Sequence, residues 1–171
     1  MIYFVTERYL KDRTPIAENV DVKRVLPFIE TSSDIRIQPL LGAHFYNDLL
    51  DKYNDETLNA LETSLVKLIQ KALSWYSAGE AVIGVSRPLT NKGIQQQDGE
   101  NSTSVEQEDL NVIMDHYNQR GAHYVRRIKK FLKDNGDSFP EFISDSNKDS
   151  DLYPGDCQDD DENYNDSIIV V

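Results

Sequence analysis

The chain has 171 residues, with 30 acidic against 18 basic side chains and a formal net charge of −12. That length suits one domain with a core of its own and room for an appendage. A chain this acidic is a poor candidate for wrapping DNA by phosphate neutralisation.

No apolar run approaches the roughly 20 residues of a membrane span. Glu7 and Arg8 come too early for the apolar stretch of a signal peptide. The chain is therefore expected to be cytoplasmic when made, with no membrane partner.

Read from the start, Ile2 and Phe4 alternate with Thr6 and Arg8, which suggests a short strand or extended arm over residues 1–20. Thr14-Pro15 and Asn19 punctuate it. Asp21 then opens a helical stretch carrying Val22, Val25, Leu26, Ile29, Ile35 and Ile37. Pro27 sits in its first turns or kinks it. Gly42 reads as a break, Phe45–Leu50 as a short second helix, and Asn54-Asp55 as the cap of the next one. The third helix is the clearest: Leu58, Leu61, Leu65, Leu68, Ala72, Trp75, Gly79 and Val82 alternate spacings of three and four. They make a narrow apolar stripe. Leu110, Met114, Tyr117, Gly121, Tyr124, Ile128 and Phe131 make a second stripe. Ser104 and Gln107 form a capping-box pair before it. Asn135-Gly136 and Pro140 stop it.

Between the long helices the period changes to two. Ile83, Val85, Arg87 and Leu89 alternate, Asn91-Lys92-Gly93 is a turn signal, and Ile94–Gln97 returns. This predicts a β-hairpin over Ile83–Gln97, with a three-residue loop and glycine in the left-handed position. Pro88 makes its strand an edge.

Residues 144–171 form an acidic tail. Nine acids stand there against Lys148 alone, so the tail carries −8 of the −12. Its composition predicts disorder up to the apolar end Ile168-Ile169-Val170-Val171. Those four residues suit a tethered anchor that adds a strand or fills a groove on a partner. The one cysteine, Cys157, lies in the tail and has no disulfide partner.

Candidate chemistry is sparse. His116 and His123 are seven apart, whereas a chelating pair on a helix wants about four. His44 is remote from both, and no metal site is expected. Ser32-Ser33 lacks any nucleophile signature, and no phosphate loop, dinucleotide fingerprint or paired-carboxylate motif occurs. Asp145, Asn147, Asp149, Asp151, Tyr153 and Asp156 follow a calcium-loop rhythm. Ser150 replaces its glycine and Pro154 interrupts it, so a solvated tail is the better reading. No cofactor is implied, and an enzyme is not expected. Arg126, Arg127, Lys129, Lys130 and Lys133 form a basic run that complements the helix C-terminus. The same run could meet an acidic neighbour, including the chain's own tail.

Several pieces occur in a familiar order. They are Tyr9-Leu10-Lys11, Ile16–Val20, Pro27-Phe28-Ile29, Ile37-Gln38-Pro39-Leu40-Leu41-Gly42 and Phe45-Tyr46-Asn47-Asp48-Leu49, then Leu89-Thr90-Asn91-Lys92-Gly93-Ile94 and Ser138-Phe139-Pro140-Glu141-Phe142. From Tyr9 to Phe142 the chain resembles the head–tail connector (adaptor) family of tailed phages, in the version found in crAss-like phages and related Bacteroidetes sequences. The acidic tail departs from that pattern.

The resemblance implies a helical bundle with an inserted hairpin. It also implies a ring of copies, generally twelve-fold, docked beneath the portal protein. Such a ring extends the DNA channel and receives the next tail or ring protein, and genomic DNA passes without specific binding. The location implied is the virion, at the head–tail interface, after synthesis in the bacterial host cytoplasm.

The expected fold is mainly α. Two long and two shorter helices form a bundle over 21–143, with an inserted β-hairpin at 83–97 and a disordered acidic tail. The expected contacts to subunits or partners are Arg87, Pro88, Leu89, Asn91, Lys92 and Gly93 in the hairpin, with Ile168, Ile169, Val170 and Val171 at the end. The alternative function is a soluble helical protein-binding module with an acidic recruiting tail.

Overall fold

In the computed structural model, residues 3–86, 89–90, 93–94 and 107–143 are described. They are mainly helical.

Thr6 opens the first helix, α1 (Glu7–Arg13), by accepting the Tyr9 N–H on its side chain at 3.1 Å. That bond satisfies one of the donors that a first turn leaves free. Of the expected strand or extended arm, the strand through Arg8 is not formed, because a capping threonine opens a helix at Glu7, and Thr6 itself is extended. Phe4 and Val5, just ahead of it, are buried instead. Phe4 meets the Tyr46 ring edge-on at 5.4 Å, and its carbonyl accepts the Gln70 amide at 2.9 Å. Lys11 Nζ pairs with Glu7 at 2.6 Å and donates to the Glu18 and Val20 carbonyls at 2.8 and 2.6 Å. One ammonium thus ties the connection after α1 back onto the helix.

Asp21 caps α2 (Val22–Ser32), accepting the Lys23 N–H at 2.9 Å, and Pro27 lies within the helix. The helical stretch expected to run through Ile37 changes pitch at Ser33. A π turn spans Ser33–Ile37, and α3 (Gln38–Leu41) follows. The wider turn shifts the register of later side chains. Ile29 and Ile37 are both buried while Ile35 is exposed. Ser33 hydrogen-bonds Tyr46 through their hydroxyls at 2.6 Å, a buried contact. Gly42 breaks the chain as expected, at φ 81°, a value that side chains disfavour.

Helix α4 (Ala43–Asn54) leads into α5 (Ala60–Ser86). The cap of α5 is Asn59, not Asn54-Asp55. Asn59 Oδ1 accepts the Glu62 N–H at 2.9 Å, and Glu62 accepts the Asn59 N–H at 2.8 Å. This reciprocal capping box displaces the earlier pair, and Asp55 instead closes α4 by donating to Asp51 O at 2.9 Å. Lys52 Nζ spans Asp48 at 2.7 Å and Glu62 at 3.1 Å, which joins α4 to α5.

Helix α5 runs through Ser86 and so contains Ile83 and Val85, which were expected to begin a strand. The hairpin over Ile83–Gln97 is not supported. Helix propagation costs one residue per bond, whereas a new ladder needs its own nucleus. Gly84 also seats the Phe28 ring of α2 against the end of α5. Strand pairing among the described residues is limited to β1 (Leu89–Thr90) and β2 (Gly93–Ile94), antiparallel, with Leu89 opposite Ile94 and Thr90 opposite Gly93. The glycine is therefore paired, and the connection is Asn91-Lys92.

Helix α6 (Gln107–Asp134) returns antiparallel to α5. Gly79 lies at Asn118, Tyr76 at Gly121 and Lys71 at Tyr124. After Asn135, a short 3-10 turn (Gly136–Ser138) and α7 (Pro140–Ile143) bring Phe139 against Phe45 and Phe131 at 5.8 and 6.1 Å.

The long pair of helices is as expected, but the seam differs. On α5 the fully buried positions include Leu65, Ile69, Ala72 and Leu73; Leu61 is exposed, and Leu68, Trp75 and Val82 are half-buried. The helix is covered on several sides, by α1, α2, the π turn and α6. Ser74 and Ser77 are buried by donating back to the Gln70 and Leu73 carbonyls, each at 2.7 Å. Such local bonds let serine enter a core and widen the buried face beyond its apolar residues.

Candidate functional site: a cation-lined aromatic flank

One edge of the α5/α6 pair carries stacked rings and cations. Trp75 and Tyr117 lie 5.5 Å apart, tilted by 51°. The Arg120 guanidinium stands 4.5 Å from the centre of the Trp75 ring. One helical turn along, Tyr124 is flanked by Lys71 at 5.8 Å and Arg127 at 5.9 Å. Trp75, Arg120, His123 and Tyr124 line a surface cavity of about 270 Å³. Cation–ring contacts of this exposed kind are worth about 0.5–1 kcal/mol each.

The helix pitch builds this edge. Tyr117, Arg120, Tyr124 and Arg127 are spaced three, four and three, so they share one side of α6. Lys71 and Trp75 are four apart on α5 and share the facing side. From His116 to Lys133 there are six basic residues and no acid. No ion pair among the described residues engages Arg120, Arg126, Arg127, Lys130 or Lys133. The aromatic stripe was legible as core; the interleaved cations at the same spacing were the signal left unused.

Tyr76 lies just behind this edge. Burial pushes its phenol above the usual range, while Arg36, stacked on its ring at 5.3 Å, and Arg126 pull it down. A second cleft, of about 160 Å³, is apolar and lined by Pro15, Ile16, Ala78, Ala81, Val82, Val85 and Tyr117.

Of the residues expected to make contacts, Leu89 and Gly93 belong to the two-residue ladder. Arg87, Pro88, Asn91, Lys92 and Ile168, Ile169, Val170 and Val171 lie outside the described residues, as do Cys157 and the calcium-like sequence of the tail. His44, His116 and His123 are exposed and on no common site. Among the described residues, no group of three His, Cys, Asp or Glu could hold a metal. No described helix is long and apolar enough to cross a membrane. Ser32 and Ser33 are buried, with Ser33 committed to Tyr46.

Fold and flank together define a mainly helical domain: a long antiparallel pair, shorter helices gathered on one member, and a basic, aromatic outer edge. The chain belongs to the DUF6712 family, a family of unknown function whose profile matches residues 37–151. No curated protein and no solved structure matches it.

Proposed function

We propose that the chain is a structural virion protein, a head–tail connector subunit. It forms a ring beneath the portal, extends the DNA channel and docks the next tail component. It acts by contact rather than by chemistry.

The observation that carries this reading is a set of exposed large apolar side chains, on α2 with the π turn and on α6, which we read as two contact surfaces. Leu26 and Ile35, 43% and 60% exposed, lie on α2 and the π turn; Val112 and Ile113, 64% and 37% exposed, lie on α6. Unlike patches on one protomer suit head-to-tail contact between copies, which closes into a ring when the rotation permits. A self-complementary dimer needs only one patch. The resemblance from Tyr9 to Phe142 points the same way. The break at Gly42 and the long helix pair are compatible with the framework it implies.

In this reading Arg87–Gly93, within the connection between the long helices, meets a neighbouring subunit or ring. Ile168–Val171 anchors on the portal or on the next ring protein. DNA passes through without specific contacts.

The test is mass spectrometry of purified particles of the phage that encodes the chain. The chain is expected in mature particles, and a variant lacking Arg87–Gly93 is expected to fold yet be missing from them. Absence of the unaltered chain from mature particles overturns the reading. It would favour a soluble helical binding module, which the cation-lined cavity of α5 and α6 also suits.

A further inference from the structure

We infer that the acidic segment 156–166 of this chain docks in the cation-lined cavity on the α5/α6 edge of its own domain, with its carboxylates on Arg120, Arg127 and Lys71.

The cavity asks for an anion. Arg120, His123 and two aromatic rings line it, Lys71 and Arg127 stand beside Tyr124, and no carboxylate among the described residues lines it. The Arg120 guanidinium lies 4.5 Å from the Trp75 ring centre and is in no ion pair among the described residues. Its N–H groups can give the paired hydrogen bonds that carboxylates accept. In a chain of net charge −12 this edge is a local exception. It therefore draws anionic groups from the rest of the molecule.

The chain supplies the occupant. Asp159, Asp160, Asp161 and Glu162 are consecutive, and Tyr164 follows with a ring for the aromatic wall. Reach is ample. Arg120 lies 14 residues before the end of α6, about 21 Å along the axis. The turn after α6 folds back on it through Phe139 and Phe131. The 16 residues between Ile143 and Asp160 can span up to about 50 Å. Tethering holds the acids at an effective concentration in the millimolar range. Nucleic acid is the weaker candidate, because its phosphates would have to displace these tethered carboxylates from a strongly acidic protein.

The full chain carries its own reporters. Trp75 is the sole tryptophan and stands in the cavity; Cys157 is the sole cysteine and lies in the segment. A nitroxide placed on Cys157 quenches Trp75 fluorescence on contact. Quenching of at least about twofold is expected in about 10 mM salt, with release near 1 M, where the screening length falls from about 30 to about 3 Å. It should be independent of protein concentration. It should vanish in D159N/D160N/D161N/E162Q and in R120Q/R127Q, with helical circular dichroism retained.

Equal quenching in the labelled wild type and in the neutralised segment overturns the proposal. So does quenching that falls on dilution, which would place the segment on another copy. Unchanged Trp75 emission on neutralisation, together with quenching by a short oligothymidylate, assigns the edge to nucleic acid and overturns it as well.

Discussion

The ring of Tyr76 stands where a side chain on Gly121 would begin. A Cβ added to Gly121 would lie 2.8 Å from two Tyr76 ring carbons and 2.9 Å from a third. The long helices approach at this point because α6 offers no side chain there. Three ring atoms this close leave little slack, since the Tyr76 ring is nearly enclosed and carries the Arg36 guanidinium on its face.

Gly121→Ala therefore sets two effects against each other. Alanine is favoured over glycine inside a helix by about 1 kcal/mol. Overpacking a closed contact costs about 1–3 kcal/mol. The expected result is net destabilisation, read as a lower urea midpoint with an unchanged slope. A more stable variant would mean that the ring swings away freely.

Leu73→Ala is expected to cost about 2–5 kcal/mol, because Leu73 is fully buried at the centre of the core. Leu68→Ala should cost clearly less, since Leu68 is half-exposed. Parallel urea titrations of the two variants decide this. Equal losses would place Leu68 on the true seam.

That contrast shows what the sequence could and could not convey. Spacings of three and four identified both long helices, and Gly42 was readable as a break. The direction of the buried face was not. A heptad stripe selects Leu61, Leu65 and Leu68, whereas Leu65, Ile69 and Leu73 fill the core. Periodicity weighs only apolar residues, and buried Ser74 and Ser77 hide the width of the face by bonding to their own helix. The alternation at Ile83–Leu89 looked like a strand because two-residue and helical periods overlap over so few residues. The cation-lined edge was missed because Trp75, Tyr117 and Tyr124 fit the apolar stripes and drew attention from Arg120 between them.

Asn59→Ala removes one half of the capping box that starts α5. A loss of about 0.5–2 kcal/mol is expected. Asn59→Asp should retain most of the stability, because a carboxylate accepts the same N–H. Glu62→Gln should keep the box but surrender the charged contact with Lys52. Thermal unfolding of the three variants checks this, with Asn59→Ala expected to melt below Asn59→Asp.

Alkaline pH should destabilise the fold. Burial, a hydrogen bond to Glu30 and the nearby acids push the Tyr3 phenol up to about 12 from 10.0. Burial also raises Tyr9, Tyr46 and Tyr76. In the unfolded chain these phenols ionise near pH 10, while the folded chain holds them neutral. Above that value the unfolded state binds fewer protons, so stability falls as pH rises from about 10 to 12. Ultraviolet titration of phenolate should show a late group of tyrosines that ionise together with loss of helical circular dichroism. Ionisation of all nine tyrosines near pH 10, with the helices intact, would contradict the burial of these rings.

The ring reading makes a prediction that a simple dimer does not. In a head-to-tail contact, the patch of Leu26 and Ile35 on one copy meets the patch of Val112 and Ile113 on the next. L26Q/I35Q and V112Q/I113Q each spoil one side and leave the other intact. All four residues are exposed, so folding stability should change by no more than about 1 kcal/mol. Alone, either variant lacks one of the two surfaces that a repeating contact needs and should remain monomeric. Mixed, the intact patch of one can meet the intact patch of the other, once. The expected product is a heterodimer and no larger species, measured by size-exclusion chromatography with light scattering beside the unaltered chain. Full rings from either variant alone would remove these residues from the interface. An unaltered chain that stays monomeric at every concentration, with portal present, would sink the ring itself.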